Sequence, residues 1–151
     1  MTDTPPPGTV IVASTGEGRW TQAVMIGRHV LRADEPAAAG GDDLGPEPHQ
    51  LLLAALGACT AITIQMVAGR KGWPLESVQV RLRRGTLPPG NGKSGTLILR
   101  DIVLDGDLDG DQRAKLLEVA EKCPVHKTLT GEITIVSGLV GRGGVVTGGE
   151  E

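Results

Sequence analysis

The pattern of apolar and polar positions in the first quarter of the chain indicates short strands. Residues 9–34 alternate between the two classes, and they are interrupted at Gly16-Glu17-Gly18 and at Gly27-Arg28. Alternation with period two is typical of half-buried strands, and glycine-rich breaks between them are typical of turns. The pattern predicts three strands at residues 9–14, 20–26 and 29–33, joined as a β-meander.

A nearly continuous apolar segment follows and predicts one long helix over residues 49–70. It comes after a loop rich in Gly and Pro at residues 35–48, and Gly72 and Pro74 provide its stop signals. A helix that is apolar almost all round is expected to be buried. Its apolar stretch, residues 51–67, is shorter than the roughly 20 residues that a membrane span requires. We therefore expect a core helix and no association with a membrane.

The second half of the chain predicts a hairpin, an amphipathic helix and a last strand. The two hairpin strands cover residues 78–84 and 95–104, and the helix covers residues 109–123 and is stopped by Pro124. A short segment at residues 125–130 precedes a strand at residues 132–137. The resulting order, βββ-α-ββ-α-β, predicts an α+β fold.

The length of 151 residues is that of one domain. We expect a disordered N-terminus at residues 1–8, a folded domain at residues 9–139 and a flexible, Gly-rich tail at residues 140–151. The central helix needs cover on nearly every side, and a small chain has few strands to provide it. The hypothesis that follows is an intertwined homodimer.

Charge and aromatic content argue against nucleic acid as a partner. The net charge is −3, from 15 basic and 18 acidic residues without a basic block, and Trp20 and Trp73 are the only aromatic residues. The N-terminal residues lack the features of a signal peptide, so we expect a cytoplasmic protein. In that reducing compartment, two cysteines predict transient redox chemistry and not a permanent disulfide.

The two cysteines are the candidate chemical groups. Cys59 lies in the long helix after Gly57, and because glycine weakens a helix, its presence suggests that another group approaches the backbone there. Cys123 lies at the end of the second predicted helix. Either thiol could equally be a small buried apolar residue. A reactive thiolate would need a cation, and Arg19 and Arg28 at the hairpin turns are the candidates, unless both are simply solvated.

Two other interpretations use the same thiols. A metal site would combine Cys59 and Cys123 with one of three histidines, but the sequence has no Cys-x-x-Cys pair. A cysteine–histidine hydrolase would pair a thiol with an imidazole, but no nucleophile elbow is recognisable. The histidines available for either site are His29, His49 and His126.

Two segments resemble a known family. Residues 45–59 read GPEPHQLLLAALGAC and residues 123–129 read CPVHKTL. Together they resemble the OsmC/Ohr family of osmotically inducible and organic hydroperoxide resistance proteins, over the chain from the first strand to about Ser137. The resemblance implies an OsmC-like fold and an intertwined homodimer with sites at the subunit interface.

The resemblance also implies an activity, thiol-dependent reduction of organic hydroperoxides. Cys59 would attack the peroxide and become a sulfenic acid, and Cys123 would condense with it to form a disulfide. A dithiol reductant, in this family typically a lipoyl-bearing protein, would restore both thiols. No bound cofactor is implied.

The residues around Cys59 match the family only in part. Arg19 is the best match to the family's activating arginine, with Arg28 as the reserve. Family members commonly place a glutamate ten residues before the first cysteine, where this chain has His49, followed by Gln50. Glu47 lies nearby but out of register. This departure motivates an alternative function, a redox-sensing or small-molecule-binding module with little or no peroxidase turnover.

Overall fold

A three-stranded antiparallel sheet opens the chain. The computed structural model describes residues 4–88, 90 and 95–141, together with the backbone of residues 146 and 147. The strands are β1 (Val10–Ser14), β2 (Gln22–Ile26) and β3 (His29–Ala33), in that order across the sheet. The predicted meander is confirmed, except that β2 begins two residues later than expected.

The loop after β3 is organised by a buried carboxylate. Asp34 accepts hydrogen bonds from the Thr21 hydroxyl at 2.9 Å and from the backbone N–H groups of Glu35 and Leu44 at 2.8 and 3.3 Å. Burial raises the pKa of Asp34, but these hydrogen bonds outweigh burial and hold the pKa below its usual value. The carboxylate thereby connects the residue before β2 with the loop that leads to the long helix.

That helix, α1, spans Pro48–Lys71 and ends at Gly72, which adopts the left-handed conformation. Its fully buried residues lie four apart and form a single face. They are Leu56, Thr60, Ile64 and Ala68. Other apolar residues of α1 remain exposed, Ile62 by 55% and Met66 by 60%. The prediction of a helix buried on nearly all sides is therefore wrong for one chain, because a single chain covers only one face.

A long antiparallel hairpin packs on α1. Its strands, β4 (Leu75–Gly85) and β5 (Leu97–Gly106), extend the predicted strands at both outer ends. A Cβ atom on Gly57 would lie 2.7 Å from Leu82 Cδ1 of β4. The close approach predicted from this glycine is confirmed, since the hairpin meets the helix there.

Two helices occupy the region predicted to contain one. The helix α2 spans Gly110–Ala120, and α3 spans Pro124–Thr130. The predicted end of the second helix at Cys123 is wrong: α2 ends earlier, and Cys123 is the N-cap residue of α3. The physical reason is Pro124, whose missing N–H and fixed φ suit the first position of a helix.

The core lies where α1, the hairpin and α2 meet. Its buried residues are Ile64, Ala68, Leu108, Leu116, Val119 and Ala120. Ile102 and Leu104 of β5 pack against this cluster. Among the described residues, the three-stranded sheet makes only weak contact with the other elements. The core is therefore built by the second half of the chain together with α1.

The packing of α1 also indicates whether this helix belongs to the core or to a membrane. Over 18 residues α1 reaches a mean hydropathy of 2.0, and with 24 residues it is long enough to cross a bilayer. The length of α1 is therefore compatible with a helix that crosses a membrane. We assign α1 to the core of the domain because Thr60 and Ile64 on its buried face are fully enclosed by the chain's own elements.

The C-terminal region differs from the prediction. Residues 132–138 form no strand, and Ile135 and Val136 are 83% and 89% exposed, because no strand of the described residues lies beside them. Two short strands, β6 (Leu139–Val140) and β7 (Val146–Thr147), pair with each other at the boundary between the predicted domain, which ends at residue 139, and the predicted tail. Residues 1–3 of the predicted disordered N-terminus and residues 142–145 and 148–151 of the tail lie outside the described residues.

Adjacent leucines in α2 provide a test of this core. Leu116 is fully buried and Leu117 is 57% exposed. We expect Leu116→Ala to lower the free energy of unfolding by about 3 kcal/mol, because it removes buried methyl groups and leaves a cavity. Leu117→Ala is the matched control and should cost less than about 1 kcal/mol. Urea unfolding followed by circular dichroism measures both, and equal losses would contradict the assigned core.

The Asp34 network predicts a pH-dependent stability. We expect Asp34→Asn to destabilise the chain at neutral pH, since a neutral amide is a weaker acceptor than the carboxylate. A carboxyl group whose pKa is lowered by folding stabilises the protein above its unfolded pKa, and this contribution is lost as the pH falls through the folded pKa. The stability difference between wild type and Asp34→Asn should therefore shrink in acid. Urea unfolding across acidic pH, with the exposed Asp101→Asn as control, checks this; a difference independent of pH would contradict it.

Candidate active site

The two cysteine sulfurs meet at the first turn of α3. The backbone N–H of Val125 donates to Cys59 Sγ at 3.5 Å, and the next N–H, that of His126, donates to Cys123 Sγ at 3.4 Å. The Cys59 thiol is also close enough to lower the pKa of Cys123. The first N–H groups of a helix have no partner within the helix, and Pro124 has none to offer. Consecutive donors of α3 therefore hold one sulfur each.

The two thiols differ in their access to solvent. Cys123 is fully buried, whereas Cys59 on α1 is only partly buried. A molecule arriving from solvent therefore reaches Cys59 first. Both thiols are free in this structure.

The cation at this site is Arg100 of β5, which the sequence analysis did not select. Its side chain is only 9% exposed. The guanidinium donates to Thr60 Oγ1 at 3.0 Å, to the Ala120 carbonyl at 3.2 Å and to Glu121 Oε1 at 2.8 Å. Arg100 thus connects α1 with the end of α2, on the side of the site where Cys123 lies.

His126 completes this charged network. Its Nδ1 lies 3.3 Å from Arg100 Nη2, and its Nε2 lies 3.4 Å from Glu121 Oε2. A guanidinium only donates hydrogen bonds, so Nδ1 must accept and Nε2 carries the proton towards the carboxylate. This contact fixes the tautomer of the imidazole.

Thr60 links the network to the sulfur of Cys123. Its hydroxyl donates to the Leu56 carbonyl at 2.7 Å, accepts from Arg100 and lies 3.7 Å from Cys123 Sγ. Because a hydroxyl has one proton, Thr60 accepts from the Cys123 thiol while it remains bonded to Leu56. It can donate to a Cys123 thiolate only by turning away from that carbonyl.

The surroundings of Cys123 favour its thiolate. Burial raises the pKa of Cys123, but hydrogen bonding with the His126 N–H, with Thr60 and with Cys59, together with the positive charge of Arg100, outweighs burial. The pKa of Cys123 is consequently held below the ordinary value of a cysteine. The described residues therefore stabilise a negative charge on Cys123 Sγ, the fully buried sulfur.

A cavity of about 440 Å³ is lined in part by this network. One part of its wall is charged, with Arg100, Glu121 and His126. The other part is largely apolar and includes Leu56, Leu97, Ile98, Leu99 and Leu129. Its volume falls in the range of small-molecule sites in proteins.

The two predicted arginines lie elsewhere in the chain. The backbone N–H of Arg19 donates to Asp42 Oδ2 at 2.5 Å, and its guanidinium donates to the Gly40 carbonyl at 3.3 Å. Arg28 is exposed in the turn between β2 and β3. Among the described residues, no hydrogen bond joins Arg19 or Arg28 to either sulfur. Among the described residues, the guanidinium that is bound next to Cys123, through Thr60, is that of Arg100.

The polar residues before Cys59 lie at the start of α1. The backbone N–H of Glu47, the N-cap residue, donates to Gln50 Oε1 at 3.1 Å, so this pair stabilises the beginning of the helix. His49 is exposed in the first turn. Ten residues of helix span about 15 Å, so His49 and Cys59 cannot meet along the straight helix.

The described residues favour neither of the two other interpretations. They contain no group of three or more His, Cys, Asp and Glu side chains that could hold a metal. Both ring nitrogens of His126 face Arg100 and Glu121, and the hydrogen bond to Cys123 comes from its backbone. An imidazole paired with a thiol, as a hydrolase requires, is therefore not found in this part of the chain.

A signal for Arg100 was present in the sequence. Along β5 every second residue faces inward. Arg100 occupies one of these positions, together with Ile98, Ile102 and Leu104. A charged residue at an apolar position of a strand predicts a buried and paired charge. The partners could not be predicted, since Thr60 and Glu121 come from distant elements.

Comparison with known proteins identifies the fold. Residues 40–137 match the family model described as OsmC-like protein. No curated protein sequence matches the chain. An OsmC-like protein from Mycoplasma pneumoniae has a similar structure, with a TM-score of 0.67 and 18% identity, covering 82% of this chain and 86% of that one.

Two similar structures carry names from organic hydroperoxide resistance. The first, from Legionella pneumophila, is named an organic hydroperoxide resistance protein OsmC and predicted redox protein; it has 25% identity and a TM-score of 0.58, over 82% of this chain and 90% of that one. The second, OhrB of Bacillus subtilis, has 24% identity and a TM-score of 0.54, over 82% of this chain and 91% of that one.

The family model covers about two thirds of the chain, including α1 with Cys59 and the turn that holds Cys123. The α+β fold class predicted from the sequence is confirmed. This chain belongs to the OsmC-like protein family.

Proposed function

We propose that this protein is a thiol peroxidase that reduces organic hydroperoxides with Cys59 and Cys123. The observation that carries the proposal is that consecutive backbone N–H groups at the first turn of α3 hold the two thiols, one each. Two free thiols held by neighbouring donors of one helical turn are suitably placed to form a disulfide. Membership of the OsmC-like family and similar structures named for organic hydroperoxide resistance support the same activity.

The difference in exposure assigns the two roles. Cys59 is the accessible sulfur, so its thiolate attacks the terminal oxygen of the hydroperoxide. The O–O bond breaks, the alkoxide leaves as an alcohol after taking a proton, and Cys59 becomes a sulfenic acid. The Cys123 thiolate then attacks Cys59 Sγ, and the hydroxide leaves as water. The product is a Cys59–Cys123 disulfide.

A dithiol reductant completes the cycle. It forms a mixed disulfide with the protein, and its second thiol then releases the protein thiols. A lipoyl-type dithiol or a lipoylated protein fits this role. The reaction requires no bound cofactor, and we place it in the cytoplasm, where thiols are kept reduced.

A second copy of the chain would complete the site. The described residues leave Ile62 and Met66 of α1 exposed, together with the apolar segment around Ile135. Apolar surface of this extent is typical of protein interfaces. We therefore propose a homodimer and retain Arg19 as the residue that would activate Cys59 across the interface, with Arg28 as the reserve.

Cysteine variants test the proposed peroxidase. We expect Cys59→Ser to abolish consumption of cumene hydroperoxide with a dithiol, because it removes the attacking sulfur. Cys123→Ser should allow one turnover and then leave Cys59 over-oxidised, since no disulfide can form. A coupled peroxidase assay and mass spectrometry of the Cys59 peptide measure both. Undiminished turnover of Cys59→Ser would overturn the proposal, and a wild type that binds apolar ligands without any turnover would favour the redox-sensing or small-molecule-binding alternative.

Sedimentation tests the homodimer. We expect the wild type to sediment as a dimer, and Met66→Glu to shift the population towards monomer because a charge would be placed on the exposed face of α1. Lys71→Glu, at the end of the same helix, is the control and should remain dimeric. A wild-type chain that is monomeric at micromolar concentration would contradict this proposal.

A further inference from the structure

We infer that Arg100 polarises the Cys59–Cys123 disulfide, so that the reducing dithiol attacks Cys59 and Cys123 departs as the thiolate. The inference rests on the proposed function, because it concerns the disulfide formed in that cycle. It assigns a role to a residue outside the expected catalytic set. It also specifies which sulfur receives the reductant.

The two sulfurs differ in how well their surroundings stabilise negative charge. In thiol–disulfide exchange the bond breaks more readily when the departing sulfur is the better-stabilised thiolate. Cys123 has the His126 N–H at 3.4 Å and Thr60 at 3.7 Å, and Thr60 is held by the guanidinium of Arg100. Among the described residues, Cys59 has a single backbone donor, the Val125 N–H at 3.5 Å. Negative charge is therefore accommodated better on Cys123.

The two sulfurs also differ in how easily a reductant can reach them. An incoming thiolate must approach the attacked sulfur from outside the site. Cys123 is fully buried, and Cys59 is not. Burial also keeps water from screening the charge of Arg100, whose side chain is 9% exposed. The sulfur that can be reached and the sulfur that leaves most readily are thus different atoms, as directional exchange requires.

The reductant thiolate forms a bond with Cys59 Sγ, the Cys59–Cys123 bond breaks, and its electron pair remains on Cys123 Sγ. The second thiol of the reductant then attacks its own sulfur in the mixed disulfide and releases the Cys59 thiolate. The dithiol is oxidised to a disulfide, and the protein gains two electrons.

Arg100 acts here as a positioning residue, since it hydrogen-bonds neither sulfur in this structure. Its guanidinium is fixed by the Ala120 carbonyl and by Glu121, and it holds the Thr60 hydroxyl beside Cys123. When Cys123 becomes a thiolate, Thr60 can turn from the Leu56 carbonyl and donate to it. Arg100 thereby stabilises the departing charge both directly and through Thr60.

The experiment traps the first half of the exchange. The wild-type chain is oxidised with diamide, treated briefly with 2-mercaptoethanol, quenched in acid and analysed by peptide mass spectrometry after alkylation. We expect the mercaptoethanol adduct on Cys59 and a free Cys123. In Arg100→Met the adduct should form on the order of tenfold more slowly, since the leaving thiolate loses its nearby charge. Arg100→Lys should recover part of the rate.

A second measurement separates charge stabilisation from a structural role. In the Cys59→Ser background, alkylation of Cys123 with iodoacetamide in mild urea should require a higher pH when Arg100 is replaced by Met, and Arg100→Lys should partly reverse that change. Arg81→Met, on the exposed side of β4, is the control and should alter neither rate nor pH dependence. An adduct on Cys123 in wild type, or an unchanged rate in Arg100→Met, would overturn the inference. So would a slower rate without a change in the pH dependence of Cys123.

These measurements do not depend on the peroxidase activity. Diamide forms the disulfide without a hydroperoxide, so the direction of exchange is observed even in a chain that consumes no peroxide. A failure of the proposed function would appear as missing turnover with a directional exchange intact. A failure of the present inference would appear as non-directional exchange in an active peroxidase.

Discussion

The site depends on two consecutive backbone donors, the N–H groups of Val125 and His126. Helix α3 begins at a proline, so these are its first two available donors, and each meets a different cysteine sulfur. Because the donors are adjacent in the chain, the distance between the sulfurs is set by the geometry of one helical turn. Cys59 and Cys123 come from distant segments, and α3 brings them together.

The packing of α1 against the rest of the fold places Cys59 at this turn. Gly57 admits Leu82 of the hairpin, and Thr60 and Ile64 lie on the face that the chain itself covers. Cys59 lies at the edge of this covered face, which explains why it is less buried than Cys123. The asymmetry between the two thiols therefore follows from the packing of α1 on one side only.

Sequence patterns predicted the elements that are regular and local. The meander, the long helix and the hairpin all follow from periodicity, and Gly57 correctly indicated a close approach. The strand at residues 132–137 was predicted from its alternation but is absent, because a strand also requires a neighbour and the described part of the chain offers none. The site was predicted less completely: both cysteines were identified, but Arg100 was not, although its phase in β5 marks a buried charge, and its partners Thr60 and Glu121 come from distant segments.

The positions of the charged groups divide the proposed cycle into two parts with different requirements. Formation and reduction of the disulfide use groups within one chain, since Arg100, Thr60 and the His126 N–H all surround Cys123. Attack on a peroxide requires a thiolate at Cys59, and the described residues provide it with one N–H donor and no hydrogen-bonded guanidinium. In the proposed homodimer, the cation that activates Cys59 would come from the second copy of the chain. The exposed face of α1 is where a second copy would supply it.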